Sequence, residues 1–245
     1  MTATSSPCPL CADTGWILES EEGVKRARPC GCQTSRRRSE RLAATEIPDR
    51  YRDCNFDNFS DINNPSLMRA KRVAREFTDT YPDVEAGLLL VGPSGRGKTH
   101  LACAILSELV SRKGVAGLYA DFSDLLLKIQ TSFRPDADST KESILHPYAD
   151  AELLVLDELG ASKPHPWVLD VLYNLLNTRY NRRRVTIVTS NFEDEPDAAS
   201  GERDRLEDRV GSRIRSRLFE MCLLVPLRGD DFRRTVVQGR IQSRF

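Results

Sequence analysis

No hydrophobic run in this chain approaches the ~20 residues that a bilayer-spanning helix requires. The longest, such as Leu88–Val91 and Leu153–Leu156, are a few residues each, so a transmembrane helix is excluded. There is no surplus of either charge: 36 Lys and Arg stand against 36 Asp and Glu. Bulk electrostatics therefore gives no argument for nucleic-acid binding, and any DNA contact has to come from a local patch. The opening Met-Thr-Ala-Thr-Ser-Ser-Pro has neither the basic stretch nor the apolar core of a secretory signal, and a cytoplasmic location is expected. Glycine (14) and proline (13) are too few for a collagen. Apolar residues at 40% and charged residues at 29% exclude a disordered chain. The 245 residues suit one α/β domain with a small appendage.

The appendage is marked by cysteine. Four of the seven cysteines form two close pairs, Cys8 with Cys11 and Cys30 with Cys32, while Cys54, Cys103 and Cys222 are scattered. In a reducing compartment two disulfides are disfavoured, whereas four thiolates on two tight turns suit tetrahedral Zn²⁺. A redox dithiol fits less well, because the second pair is C-x-C and no thioredoxin-like strands flank the first. Residues 15–18 and 23–28 read as the strands of a hairpin joining the knuckles, in a module too small to fold without its metal. A closed four-cysteine site has no open coordination position, so its expected role is docking or folding. Lys25, Arg26 and Arg28 either offset the thiolate charge or form a solvated basic strand. Residues 1–33 are thus read as a zinc module and 34–50 as a basic linker. The linker is expected to be helical over about 33–45 and closed by Pro48, long enough at ~20 Å to hold the module away from an ATPase core over 51–245. Its Arg36, Arg37, Arg38 and Arg41 could meet a nucleic-acid backbone or simply face solvent.

The core is read from its strand ends. Leu88–Val91 runs into Gly92, Pro93, Ser94, Gly95, Arg96, Gly97, Lys98 and Thr99, a complete G-x-x-x-x-G-K-T loop followed by helix-forming residues from His100. Such a loop wraps phosphates with backbone N–H groups, reaches the β- and γ-phosphates with its lysine and holds Mg²⁺ with its threonine. A second apolar strand ends in Asp157-Glu158, placed to hold Mg²⁺ and to polarise a water, which favours hydrolysis over transfer to an acceptor hydroxyl. A third, Val185–Ser190, ends at Asn191, which could bond both the γ-phosphate and that water. Arg205, Arg209, Arg213 and Arg217 recur every four residues, as one stripe if they share a helix. Like charges at that spacing oppose a helix, so the stripe suggests an anion opposite it or else a solvated helix face, and Asp204, Glu207 and Asp208 relieve only its first half. The polar stretches 131–147 and 193–202 read as loops that could touch DNA or a partner.

Together these residues resemble the AAA+ ATPases of the bacterial helicase-loader family, the DnaC and DnaI type, with the IstB transposition helper as a close relative. The likeness is carried by the cysteine pairs, Phe56-Asp57-Asn58-Phe59, the P-loop with His100-Leu101-Ala102, Leu156–Gly160, Thr189-Ser190-Asn191, Ser216-Arg217-Leu218 and Gly229–Arg233. It implies a five-stranded parallel sheet of order 5-1-4-3-2 without a full helical lid, since only eighteen residues follow Leu227. It implies Lys98 and Thr99 as Walker A, Asp157 and Glu158 as Walker B, Asn191 as sensor 1, Arg217 with Arg213 as finger and companion, and Arg233 or Arg234 as a substitute sensor 2. Phe56–Phe59 is similar to a segment that encloses adenine in the initiator DnaA. ATP, Mg²⁺ and Zn²⁺ are the implied cofactors. The implied partners are a replicative helicase, single-stranded DNA and further copies of the chain sharing ATP at their interfaces. An IstB-like helper assembling on duplex DNA, a P-loop kinase and a nucleotide-independent zinc adaptor are the alternatives.

Overall fold

The computed structural model describes residues 8–21, 24–134, 136, 139–161, 165–194 and 204–233. It opens with an antiparallel hairpin, β1 (Trp16–Glu21) and β2 (Val24–Pro29), paired from Trp16↔Pro29 to Glu21↔Val24. Helix α1 (Gly31–Ala43) follows directly from Cys30 and contains no buried residue. The core then alternates α2 (Pro65–Thr80), β3 (Gly87–Val91), α3 (Lys98–Glu108), β4 (Gly117–Asp121), α4 (Phe122–Thr131), α5 (Lys141–Asp150), β5 (Leu153–Leu159), α6 (Pro166–Asn181), β6 (Val185–Ser190), α7 (Leu206–Val210), α8 (Ser212–Met221) and β7 (Cys222–Pro226). No described helix is long and apolar enough to cross a membrane.

The five core strands are all parallel and lie in the order β4-β5-β6-β3-β7. Counted from the first core strand, this is the expected order 5-1-4-3-2. Leu88 and Leu90 face one layer while Leu89 and Val91 face the other, because successive side chains of a strand alternate. On the first side lie Ala70, Ala74 and Phe77 of α2 and Leu101, Ile105 and Leu106 of α3. On the second lie Leu125 and Ile129 of α4, Leu172 and Leu176 of α6, and Ile214 and Leu218 of α8. Covering both faces removes the polar alternation of a half-solvated sheet, which is why the central strands read as unbroken apolar runs.

Three expectations are corrected. The linker helix does not stand clear of the core: Leu42 packs on the first hydrophobic layer, Thr45 is fully buried, and the Tyr119 N–H donates to Thr45 O (2.7 Å). The arginine stripe is not one helix, because Gly211 at φ 80° and ψ 156° separates α7 from α8 and changes the direction of the chain. The stretch 131–147 is not a continuous loop. Thr140 and Ser143 form a reciprocal capping box that starts α5 inside it.

One polar group holds the second layer together. Arg179 is 0% exposed; it donates to Thr186 Oγ1 (2.9 Å), Tyr148 O (2.7 Å), Ala151 O (2.9 Å) and Val185 O. The carbonyls at the end of α5 and the start of β6 are thereby satisfied by one fork of donors. Burial brings its pKa down to about 9, still above neutrality. Arg179→Ala leaves those acceptors without partners, and equilibrium urea unfolding should show a loss of about 3–5 kcal/mol.

Candidate functional site

The strand order decides where the site forms. Because β6 lies between β3 and β5, the carboxyl ends of these strands bring Gly92, Asn191 and Asp157 side by side at the point where the connections reverse direction. A cavity of about 580 Å³ opens there, lined by the P-loop from Ser94 to His100 together with Glu158, Thr189 and Asn191. Gly97 precedes α3 at φ 86°, and the edge of the Phe59 ring lies 2.7 Å from where its Cβ would stand. Only glycine meets both demands. Phe59 also meets His100 edge-on at 5.5 Å, and the His100 ring is fixed by Asn55 O at 3.0 Å. Phe56 is buried beneath Arg75, so of the Phe56–Phe59 segment it is Asn58 and Phe59 that line the cavity.

Lys98 is 7% exposed, and its ammonium donates to Gly92 O (2.6 Å), Pro93 O (2.9 Å) and Asn191 Oδ1 (2.7 Å). The cation is pinned to the mouth of the P-loop and to the end of β6 together. Burial lowers its pKa to about 8, against the opposing pull of Asp157 and Glu158. Asp157 is 2% exposed and accepts from three hydroxyls: Thr99 (3.0 Å) and Thr189 at Oδ1, and Tyr119 (2.7 Å) at Oδ2. Thr99 and Asp157 are thus the adjacent oxygen donors that could hold Mg²⁺. Burial and the neighbouring Asp157 drive the Tyr119 phenol far above its usual range, which keeps it protonated and a donor.

Glu158 follows at φ 56°, a left-handed conformation rare for a residue with a Cβ. Its N–H donates to Thr189 Oγ1 (3.0 Å), and the residue lines the cavity where the pairing of β5 with β6 shifts register between Leu156 and Leu159. Burial first, then Asp157 and Asp121, raise its pKa.

Residues 230–233, after β7, pack over this site. Phe232 N–H donates to Gly95 O (3.1 Å), and Asp230, Phe232 and Arg233 line the cavity. Arg234 lies outside the described residues, as does most of 193–202. Arg213 and Arg217 do not line the cavity of their own chain. Arg213 is exposed on α8, and Arg217 lies 5.0 Å and 5.2 Å over the rings of Tyr173 and Tyr180. Arg209 is withdrawn from any stripe, since it donates to Gly160 O (2.8 Å) and Ala161 O (3.1 Å). Sequence reasoning missed Tyr119 and assigned Thr189 no role. The only available sign was that Tyr119 stands on the strand paired in register with the Asp157 strand, a relation that exists only once the sheet forms.

At the amino terminus the Sγ atoms of Cys8, Cys11, Cys30 and Cys32 all lie within 4.8 Å of one another. Cys8 to Cys30 at 3.8 Å matches the edge of about 3.8 Å that follows for a tetrahedral ZnS₄ centre, and Cys11 to Cys32 at 3.3 Å is somewhat shorter. The four sulfurs therefore fit zinc. Ala12 and Asp13 take positive φ to form the first knuckle, and Cys30 N–H bonds to Gly15 O (2.8 Å), tying the second knuckle to the first. The Cys11 thiol is raised by burial but brought down to about 7 by hydrogen bonding with Cys32, the Gly15 backbone, Cys30 and Cys8.

The family described as IstB-like ATP binding protein matches residues 18–238. The chain is similar to the phage-like element PBSX protein XkdC of Bacillus subtilis (strain 168), at 26% identity over 230 residues covering 90% of this chain and 81% of that protein. It is similar to the replicative helicase loader DnaC of Buchnera aphidicola subsp. Acyrthosiphon pisum (strain APS), at 28% identity over 177 residues, 71% of this chain and 68% of that one. Among solved structures it resembles the crystal structure of the DnaC helicase loader, with a TM-score of 0.64 and 30% identity over 74% of this chain and 100% of that one.

The depressed Lys98 pKa has a measurable consequence. Phosphate binds the charged form, which predominates below about pH 8 and must be regenerated by proton uptake above it. ATP affinity measured by calorimetry should therefore weaken roughly tenfold between pH 7 and 9, and Lys98→Ala should abolish binding at either pH.

Proposed function

We propose that this chain, which belongs to the IstB-like ATP binding protein family over residues 18–238, hydrolyses ATP and loads a replicative helicase onto single-stranded DNA. The observation that carries this reading is the convergence of Lys98, Thr99, Glu158 and Asn191 on one cavity, with the buried Asp157 bonded to Thr99 behind it, in a chain that resembles a DnaC helicase loader over 74% of its length.

In this reading the N–H groups of 94–99 and the positive end of α3 bind the phosphates. Lys98 passes from its backbone acceptors to the β- and γ-phosphates. Thr99 and Asp157 would hold Mg²⁺, whose charge would supply Lewis-acid stabilisation of the phosphate oxygens. Glu158 orients the attacking water and takes up its proton, and Asn191 fixes the γ-phosphate between water and lysine. Glu158 and Asn191 favour water over an acceptor hydroxyl, against the kinase reading. Arg217, with Arg213 beside it, is assigned to a neighbouring subunit's γ-phosphate, which requires its guanidinium to leave Tyr173 and Tyr180. Arg233, on the cavity wall, takes the part of sensor 2.

Residues 1–33 form the zinc module that holds the helicase, 34–50 the linker and 51–245 the ATPase core. A zinc centre with four thiolates is closed to substrate and supplies structure alone. The name of the matching family favours a second reading, a transposition helper assembling on duplex DNA.

Turnover measured against protein concentration, with and without each form of DNA, tests these readings. Steep concentration dependence with strong stimulation by single strands is expected. Preference for duplex would select the second reading, and flat, DNA-independent turnover would remove both. Cys8→Ser with Cys11→Ser should lose bound zinc and capture of a hexameric replicative helicase together. Arg217→Ala should leave ATP binding intact and lower assembled turnover by ~10³; equal turnover would remove the finger assignment.

A further inference from the structure

We infer that Tyr119 is a positioning residue for the nucleotide site, its phenol holding the Asp157 carboxylate in the orientation that turns Oδ1 to Thr99. The inference rests on the reading of Thr99 and Asp157 as the Mg²⁺ side of an ATP site. The torsion that sets a carboxylate plane has a broad, shallow potential, so the plane is fixed by its partners and not by the side chain itself. Here the partners divide the two oxygens. Oδ1 accepts from Thr99 and Thr189, and Oδ2 accepts from Tyr119 at 2.7 Å. Without the phenol Oδ2 is a buried acceptor that has lost its Tyr119 donor, and the plane is free to rotate towards another donor at the expense of Oδ1.

Tyr119 is itself held at both ends. Its ring is 4% exposed within the first hydrophobic layer, and β4 keeps its backbone in register beside the Asp157 strand, with Tyr119↔Val155. Its N–H donates to Thr45 O (2.7 Å), and Thr45, 0% exposed, donates through its hydroxyl to Leu42 O (2.6 Å) at the end of α1. The phenol is thus the inner end of a bonded run that starts where the linker helix meets the core. Tyr119 does not line the cavity and would act on a bound nucleotide and metal through Asp157, as a group beyond the metal's own ligands characteristically does.

The test is Tyr119→Phe in the full zinc-loaded chain, which removes one oxygen and keeps the ring. A fluorescent ATP analogue is titrated without Mg²⁺, and Mg²⁺ is then titrated into the saturated complex. Binding without Mg²⁺ should match wild type, which also reports an intact fold, while the Mg²⁺ concentration for half-saturation should rise on the order of tenfold. 4-Aminophenylalanine at position 119, which returns an N–H donor on the same ring, should restore the wild-type value. Wild-type Mg²⁺ dependence in Tyr119→Phe would overturn the inference while leaving the ATP site standing. Failure of the unsubstituted chain to bind the analogue would instead overturn the reading of the site. Should Tyr119→Phe not fold, an aminophenylalanine protein that folds but keeps weakened Mg²⁺ dependence would count equally against it.

Discussion

A carboxylate buried to 2% exposure costs several kcal/mol unless its lone pairs are answered, and the Asp157 carboxylate is answered from three other elements. Thr99 comes from the start of α3, Tyr119 from β4 and Thr189 from β6. None of these hydroxyls is near Asp157 in sequence; they meet because β4, β5 and β6 are adjacent parallel strands with the P-loop one strand further on. The same hydroxyls tie the sheet's carboxyl edge together. A shift of register in any strand would leave an unpaired charge in the interior, so polar satisfaction and strand register enforce each other.

Lys98 extends the constraint across β6. Its bonds to Gly92 O, Pro93 O and Asn191 Oδ1 span two strand ends and place a cation close to Asp157 and Glu158. The cation answers the acids, the acids limit the fall in its pKa, and Glu158 lines the cavity on a left-handed backbone where the pairing of β5 with β6 shifts register. Charge, burial and backbone strain are concentrated on the few residues proposed to handle phosphate, as expected where chemistry requires groups that a purely structural core would avoid.

The amino-terminal module depends on different physics. A two-stranded hairpin buries too little apolar surface to be stable alone, and Leu10, Trp16 and Leu18 remain largely exposed. Four sulfurs within 4.8 Å of one another could hold one tetrahedral ion in place of the missing core. Yet the module is not loosely tethered, since Leu42 and Thr45 carry the end of its linker helix into the first hydrophobic layer and onto the edge of β4.

The sequence alone determined whatever depends on neighbours along the chain. The P-loop sits within eight residues between a strand and a helix, the cysteine pairs lie on tight turns, and the strands leading to Lys98, Asp157 and Asn191 are apolar because both faces are covered. The sheet order was legible through the likeness that those motifs carry. Only the tertiary structure decided what depends on strands meeting side by side. It put Tyr119 and Thr189 on Asp157, brought Arg233 and Phe232 to the P-loop, broke the arginine stripe at Gly211 and set Arg217 on two tyrosines. Periodicity reports which way a side chain points from its own element, whereas the partner it meets is fixed by packing between elements far apart in the chain.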